Sequence, residues 1–465
     1  MQAAIRDGRT GRGKAAMRDI AIILMLAAIL PAGLRATNVG AMMWAWVALV
    51  APIEYAYGIA ASLPYNKIVV GITMLSLIVG KTTNRFYIDA NFIVLTIFVL
   101  ICLVAFAFGL SETSRSYDLA ERLVKIYILC VVMMACLKTR PQIHAMVLAI
   151  CLGMGIHGVL EGLKYIVSGG GHNVLGPKVF GDNNHFGLAI LLVLPLLLYC
   201  YRYAAHFLIR YALLGAAVTN LVAVVATASR GALVGLVAVA VAMAMRSQRK
   251  GLAIVMVVLV GGLIVALAPD RWTRRMDTIA TAETDGSFMS RVTSWKLNTV
   301  LALERPFGAG FSGLEDAAVF EAYRFKINTT LPFFPVEVPN TRLAAHSIYF
   351  QALGDNGFLG LGLFVGLLAV AFANLRAIRR MARGHDHLAW AYDLANTLWI
   401  AMIAYMVAGA ALSMAYFELF YMILILISVL RRHVSEEIGA LGPAAVPVRM
   451  PQMSRLAGAV QRAGS

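Results

Sequence analysis

The sequence predicts an all-α, polytopic membrane protein. Three observations carry this. Of the 465 residues, 60% are apolar and 14% are charged, against about 25% charged in an ordinary soluble domain. Mean hydropathy is +0.77, with long uninterrupted apolar runs. Those runs do not alternate apolar with polar, as the strands of a membrane β-barrel would. A soluble enzyme, a disulfide-stapled secreted scaffold and a disordered chain are excluded together with the barrel.

A spanning helix needs about 20 mostly apolar residues. Runs of that kind lie at 20–34, 67–80, 91–109, 121–137, 142–167, 185–201, 207–227, 231–245, 251–268, 354–375, 389–412 and 416–430, which makes twelve spans. A further apolar piece, 39–62, contains Trp44, Trp46, Pro52 and Pro64. It reads as a re-entrant, interfacial or broken extra span.

Basic residues orient the spans. The net charge is 40 − 24 = +16. Its carriers sit at the ends of apolar runs, as topology determinants do, and no basic domain stands apart, so nucleic acid is not an expected partner. Lys138 and Arg140, Arg246 with Arg249 and Lys250, Arg376 with Arg379, Arg380 and Arg383, and Arg431 with Arg432 all fit one cytoplasmic side. Arg6, Arg9, Arg12, Lys14 and Arg18 precede the first run without a cleavage motif after it, which predicts an uncleaved helix and a cytoplasmic 1–18. Residues 19–268 then hold spans one to nine, 346–432 hold the last three, and 433–465 form a cytoplasmic tail. The segments 168–184, 227–230 and 269–345 fall on the outer face.

The stretch 269–345 is too long for a plain connection. Ser290 is placed to N-cap a helix over 291–304 and Ser312 one over about 313–325, before Pro332, Pro335 and Pro339. An ordered external lid is expected. Cys102, Cys130, Cys136, Cys151 and Cys200 lie in apolar stretches without a CxxC, so they read as buried hydrophobes, and no metal or cofactor pattern is present. Glu283 and Asp285, an exposed carboxylate pair, and Asn328-Thr329-Thr330, a glycosylation-acceptor match, read as solvated or chance features.

Five polar constellations stand out. Thr227-Ala228-Ser229-Arg230-Gly231 puts an arginine between two outward helix ends, as a headgroup anchor or an anion site. Ser290-Arg291-x-x-x-Trp295-Lys296 puts Arg291 in an expected first helical turn, where the dipole disfavours a cation unless an anion intervenes. His346-Ser347-Ile348-Tyr349 lies where the loop returns to the membrane, with His346 and Tyr349 expected on one helix face. Nearby arginines would lower the His346 pKa and leave a neutral imidazole. Gly176–Phe186 offers amides, Lys178, Asn183, Asn184 and His185 to sugar hydroxyls or phosphate oxygens, or is a capped turn. His157, Glu161 and Lys164 lie inside one span, as a transporter's binding set or as a self-satisfied pair.

In this order the motifs resemble the O-antigen ligase/polymerase superfamily. The matching residues are Arg230 in S-R-G, Arg291 in S-R-x-x-x-W, E-R-P-F-G-A-G-F at 304–311, and His346 in H-S-x-Y-x-x-x-L. Met17-Arg18-Asp19, Trp44-Ala45-Trp46, Tyr57-Gly58, Leu63-Pro64 and Gly181–Phe186 are similar to exosortase-associated O-glycosylation ligases. The likeness covers residues 17 to about 430. Ser347 departs from it, since many members carry Asn there. The resemblance implies a metal-independent, GT-C-type glycosyltransferase of the bacterial inner membrane. Such an enzyme takes a glycan from undecaprenyl diphosphate on the periplasmic side and passes it to a hydroxyl acceptor, in O-antigen ligases the lipid A–core. On that reading His346 activates the acceptor and Arg230 and Arg291 hold the diphosphate. Lys178, Asn183, Asn184, His185, Trp295 and Tyr349 contact substrate. A protein O-oligosaccharyltransferase, an O-antigen polymerase and, from another class, a lipid or solute transporter are the rival readings.

Overall fold

The computed structural model describes residues 2–80, 86–246, 251, 261–262 and 286–440. Among them there is no strand. In chain order the helices are α1 (Gln2–Arg35), α2 (Thr37–Val50), α3 (Gly58–Ala61), α4 (Tyr65–Val79), α5 (Ala90–Ala107), α6 (Ser114–Cys136), α7 (Arg140–Val167), α8 (Asn183–Tyr203), α9 (Phe207–Ala226) and α10 (Arg230–Arg246). There follow α11 (Gly286–Glu304), α12 (Ala317–Arg324), α13 (Ile327–Thr330), α14 (Ile348–Ala382), α15 (Ala389–Gly409) and α16 (Glu418–Ala440).

Among the described residues seven segments are long and apolar enough to cross a bilayer: Met17–Arg35, α5, α7, α8, α9, α14 and Asp386–Gly409. The runs at 67–80, 121–137, 231–245 and 416–430 also form helices, but these are shorter or carry charges. Half of α6, for example, is a charged extension with Arg115, Asp118, Glu121, Arg122 and Lys125. The run at 251–268, the pair Glu283 and Asp285, and the tail beyond 440 lie outside the described residues. Helix α16 continues to Ala440, past the expected start of the tail at 433.

Two helices form the centre. In α8 every residue from 186 to 197 is buried, and in α16 every residue from 419 to 430. A helix apolar all round belongs inside a bundle. Local caps set where helices begin. Asp89 accepts from Phe92 N at 2.9 Å, Thr113 from Ser116 N at 3.3 Å, and Asp182 from Asn184 N and His185 N at 2.9 and 2.8 Å.

Helix α2 answers part of what the sequence left open for 39–62. It lies against α1, α4 and α7. Its start, Thr37, bonds Ser76 O at the end of α4, and its finish, Leu49, meets His157 far along α7. Residues 37–50 therefore run from one end of the bundle to the other, over about 21 Å at 1.5 Å per residue. Pro52 sits after the helix rather than in it, so it does not break the pass. Asp19 accepts from Tyr57 N at 2.7 Å beyond the same end. Residue 19 and Arg431–Arg432 thus lie at opposite ends, so the helix directions do not bring 2–18 and 433–440 to one side.

The lid has its own small core of Leu297, Val300, Leu301, Leu314, Phe320, Tyr323 and Ile327. Two caps differ from expectation. Helix α11 is already formed at Gly286, so Ser290 is internal and Arg291 is not in the first turn. Ser312 is left-handed (φ 52) and caps nothing; Asp316 caps α12 instead, accepting from Ala318 N at 2.8 Å.

Backbone joins the lid to α14. Ala309 N donates to Gly354 O at 3.1 Å, Gly310 N to Asp355 O at 3.0 Å and Phe358 N to Pro306 O at 3.1 Å. These bonds occupy a kink where Gly357 takes φ 67 and ψ −166. A Cβ on Gly357 would lie 1.7 Å from Pro306 O, and one on Gly308 2.3 Å from Asp355 O. The 304–311 motif is glycine-rich because two main chains touch there.

Candidate functional site

A cavity of about 440 Å³ opens at the end of the bundle under the lid. Its polar wall includes Arg115, Arg122, Lys178, Asp182, His185, His346, Gln351, Ser413, Tyr416 and Glu418; Leu49, Met154, Phe180 and Phe417 give it an apolar side.

His346 is held at the junction of lid and bundle. It precedes α14 and is left-handed, with φ 47. That conformation costs a non-glycine residue about 1–2 kcal/mol and marks positions held by their surroundings. Its N–H donates to Ser413 Oγ at 2.8 Å, and its carbonyl accepts from Trp295 Nε1 at 3.2 Å. Trp295 is itself stacked on Phe350, 5.4 Å between centroids. Burial lowers the His346 pKa, the charges of Arg291 and His185 lower it further, and Asp182 opposes them. Arg291 and Trp295 are four residues apart on α11, so one helix face supplies both the indole and the guanidinium.

The start of α8 supplies the facing wall. Asp182 accepts from His185 Nδ1 at 2.7 Å. Desolvation raises the Asp182 pKa, but the bonds from His185 and Asn184 and the imidazole charge outweigh it and bring the carboxyl to about 2. Asn183 Nδ2 donates to Thr227 O at 2.7 Å, and Ser229 Oγ donates to Asn184 Oδ1 at 2.6 Å. These two amides fasten the turn in which Ala228 is left-handed (φ 49) and from which Arg230 starts α10.

The expected residues therefore divide. His346, His185 and Lys178 line the cavity. Arg291 acts electrostatically on His346, and Arg230 is set two residues beyond Ala228; neither is among the lining residues. Asn183 and Asn184 tether a turn, and Trp295 holds the His346 carbonyl. Tyr349 points into the bundle, where its hydroxyl donates to Met406 O at 3.2 Å. The shared face expected for His346 and Tyr349 fails because the helix starts at Ile348. His157 bonds Leu49 O at 2.9 Å and Tyr55 Oη at 2.5 Å, while Glu161 pairs with Lys164 at 2.6 Å and His172 at 2.7 Å.

Sequence reasoning missed Arg115, Arg122 and Asp355. Arg115 and Arg122, seven apart on α6, pair with Glu315 of the lid at 3.1 Å and with Glu418 of α16 at 2.8 Å. Their i, i+7 spacing was a usable signal. Asp355, 4% exposed, accepts from Ser312 N at 2.9 Å and from Tyr416 Oη at 3.1 Å.

The O-antigen ligase family model matches residues 215–365, which span the Arg230 turn, α11, the interlocked backbone and His346. This match supports membership in the O-antigen ligase superfamily. A family of unknown function (DUF5935) matches residues 17–205, which run from α1 through α8. No curated protein matches. Members of that family are glycosyltransferase-like ligases, which supports an enzyme of this general kind, and the apolar helices support a multi-pass membrane protein. Among the described residues no three His, Cys, Asp or Glu side chains gather as a metal site would require.

Proposed function

We propose that this enzyme moves a glycan en bloc from undecaprenyl diphosphate to a sugar hydroxyl of lipid A–core. The reaction takes place at the periplasmic face of the bacterial inner membrane, in lipopolysaccharide biosynthesis. The bond from anomeric carbon to phosphate oxygen breaks, and a bond from that carbon to the acceptor oxygen forms. The acceptor proton goes to His346, and undecaprenyl diphosphate leaves.

The observation that carries this reading is His346 itself. A conformationally fixed imidazole, its pKa lowered by burial and by the charge of Arg291, faces a cavity with cations on its wall. Departure of a diphosphate develops negative charge, and guanidiniums answer it bidentately. Arg230 and Arg291 take that role, with Lys178 at the rim; no metal is required by this scheme. Base catalysis contributes typically 10²–10⁴-fold, so positioning and charge supply the rest. Support for the periplasmic placement comes from the opposite end of the bundle, which holds Arg140, Arg431 and Arg432.

The deciding experiment reconstitutes the protein with undecaprenyl-diphosphate glycan, lipid A–core and a chelator. Glycosylated lipid A–core is the expected product. Longer lipid-linked chains, or a glycoprotein when a protein acceptor is offered, would assign polymerase or protein-ligase activity instead. Arg230→Lys and Arg291→Lys are each expected to lose about 10²–10³-fold in kcat, the scale of losing one charge-stabilising donor. Near-normal turnover would reduce either arginine to an anchor.

A further inference from the structure

Two phenyl rings on the lid are not used by its core. Phe333 and Phe334 are 63% and 80% exposed, within Leu331-Pro332-Phe333-Phe334-Pro335. Single exposed hydrophobics are ordinary, so exposure alone assigns nothing. The amount of structure fixing this tip is what calls for an explanation.

Phe334 is left-handed, with φ 51. Its carbonyl accepts from Lys296 Nζ at 2.9 Å, and the same ammonium donates to Asn328 Oδ1 at 3.0 Å. Lys296 is 8% exposed, and a lysine is buried that deeply only when its ammonium is satisfied. Asn328 clamps Val336 from both sides, donating to its carbonyl at 2.7 Å and accepting from its N–H at 3.1 Å. Pro332 and Pro335 fix the backbone on either flank of the rings. The rings meet edge to face, 6.2 Å between centroids. They are held outward by a buried cation, a clamp and an unfavourable φ.

The height at which they are held follows from α11. Lys296 lies between Ser294, which donates to Ala344 O at 2.6 Å, and Asn298, which packs on Gly354. Residues 344–354 are where the chain passes from the lid into the long apolar α14. The tip is therefore tied to the part of α11 that packs where α14 begins, and aromatic side chains concentrate where apolar helices meet the headgroups. At the same rim, Phe307 and Phe358 of the interlocked backbone are 64% and 47% exposed.

We propose that Phe333 and Phe334 insert into the leaflet on the cavity side and moor the lid to the bilayer. Phenyl rings suit that partner because they offer apolar area and demand no hydrogen bond. The inference does not depend on which glycan or acceptor the enzyme uses.

The five native cysteines are buried, so one introduced thiol takes a fluorescent label selectively. Phe333→Cys carries bimane at the tip and leaves the Phe334 carbonyl bond in place. Glu321→Cys, where the glutamate side chain is 57% exposed on α12, carries it on the lid elsewhere. Both full-length variants go into phosphatidylcholine vesicles with and without brominated acyl chains. Brominated lipid is expected to remove most of the emission at 333 and leave that at 321. Undiminished emission at 333 with quenching by aqueous iodide overturns the proposal. Equal lipid quenching at both positions overturns the assignment to the tip.

Discussion

The two ends of the bundle are both rich in polar groups, yet they dispose of them differently. At the end away from the lid, the partners are other parts of the protein. Arg432 donates to Met134 O at 3.1 Å and to Leu137 O. Tyr203 donates to Asp393 at 2.6 Å, and Arg202 pairs with the same carboxylate at 3.0 Å. Tyr199 bonds His144 at 2.7 Å, and Arg246 lies 4.1 Å over the Trp399 ring. At the lid end, by contrast, Lys178, His185 and His346 face a void of about 440 Å³. The same residue types serve closure at one end and reception at the other. Burial alone does not separate the two; what the polar atoms face does.

The largest test of this contrast is His346→Ala. Transfer is expected to fall about 10²–10⁴-fold, measured as product in proteoliposomes, while the protein keeps its elution volume and melting temperature. Arg432→Met breaks the other end. It removes the donor to two buried carbonyls, a loss of about 1–3 kcal/mol for each group left unsatisfied. A lower melting temperature with unchanged turnover per folded molecule is expected; the reverse pattern would erase the distinction between the ends.

The acid limb of the rate profile sharpens the comparison. The His346 pKa is lowered from its ordinary 6.5 by burial, Arg291 and His185. A depressed folded pKa favours the neutral form, so its contribution is present above pH 6.5 and is lost as pH falls through the folded value. Transfer should hold steady down through pH 6.5 and decline only below it. Arg291→Gln should move that limb to higher pH, which a pH–rate profile reads directly. The smallest effect belongs to Trp295→Phe. Stacking on Phe350 survives while the bond to the His346 carbonyl is lost, worth about 1 kcal/mol, or about fivefold in kcat.

Much of the bundle was legible because long apolar runs have few other uses. The runs at 91–109, 142–167, 185–201 and 207–227 became α5, α7, α8 and α9 with small changes at their ends. Helix α2 was not legible, since its 14 residues are shorter than a standard span and two prolines follow. His346 and Lys178, which line the cavity, stood out in the sequence because a charged or titratable residue beside an apolar run is conspicuous. Asp355 was missed because its partners, Ser312 and Tyr416, lie 43 and 61 residues away. The tethers made by Asn183 and Asn184 were not legible for the same reason: their partners are Thr227 and Ser229, on a different helix pair. Periodicity reports which face is apolar, not which distant amide meets which oxygen.

The glycine-lined junction between 306–310 and 354–358 also limits how this enzyme can be re-engineered. A lid transplanted from a relative would arrive with a main chain cut to fit its own kinked helix, and no side-chain repacking could mend a mismatch between carbonyls and amides. Exchange of acceptor preference between relatives should therefore succeed when residues 304–358 travel as one cassette, and fail when the donor segment stops short of the helix.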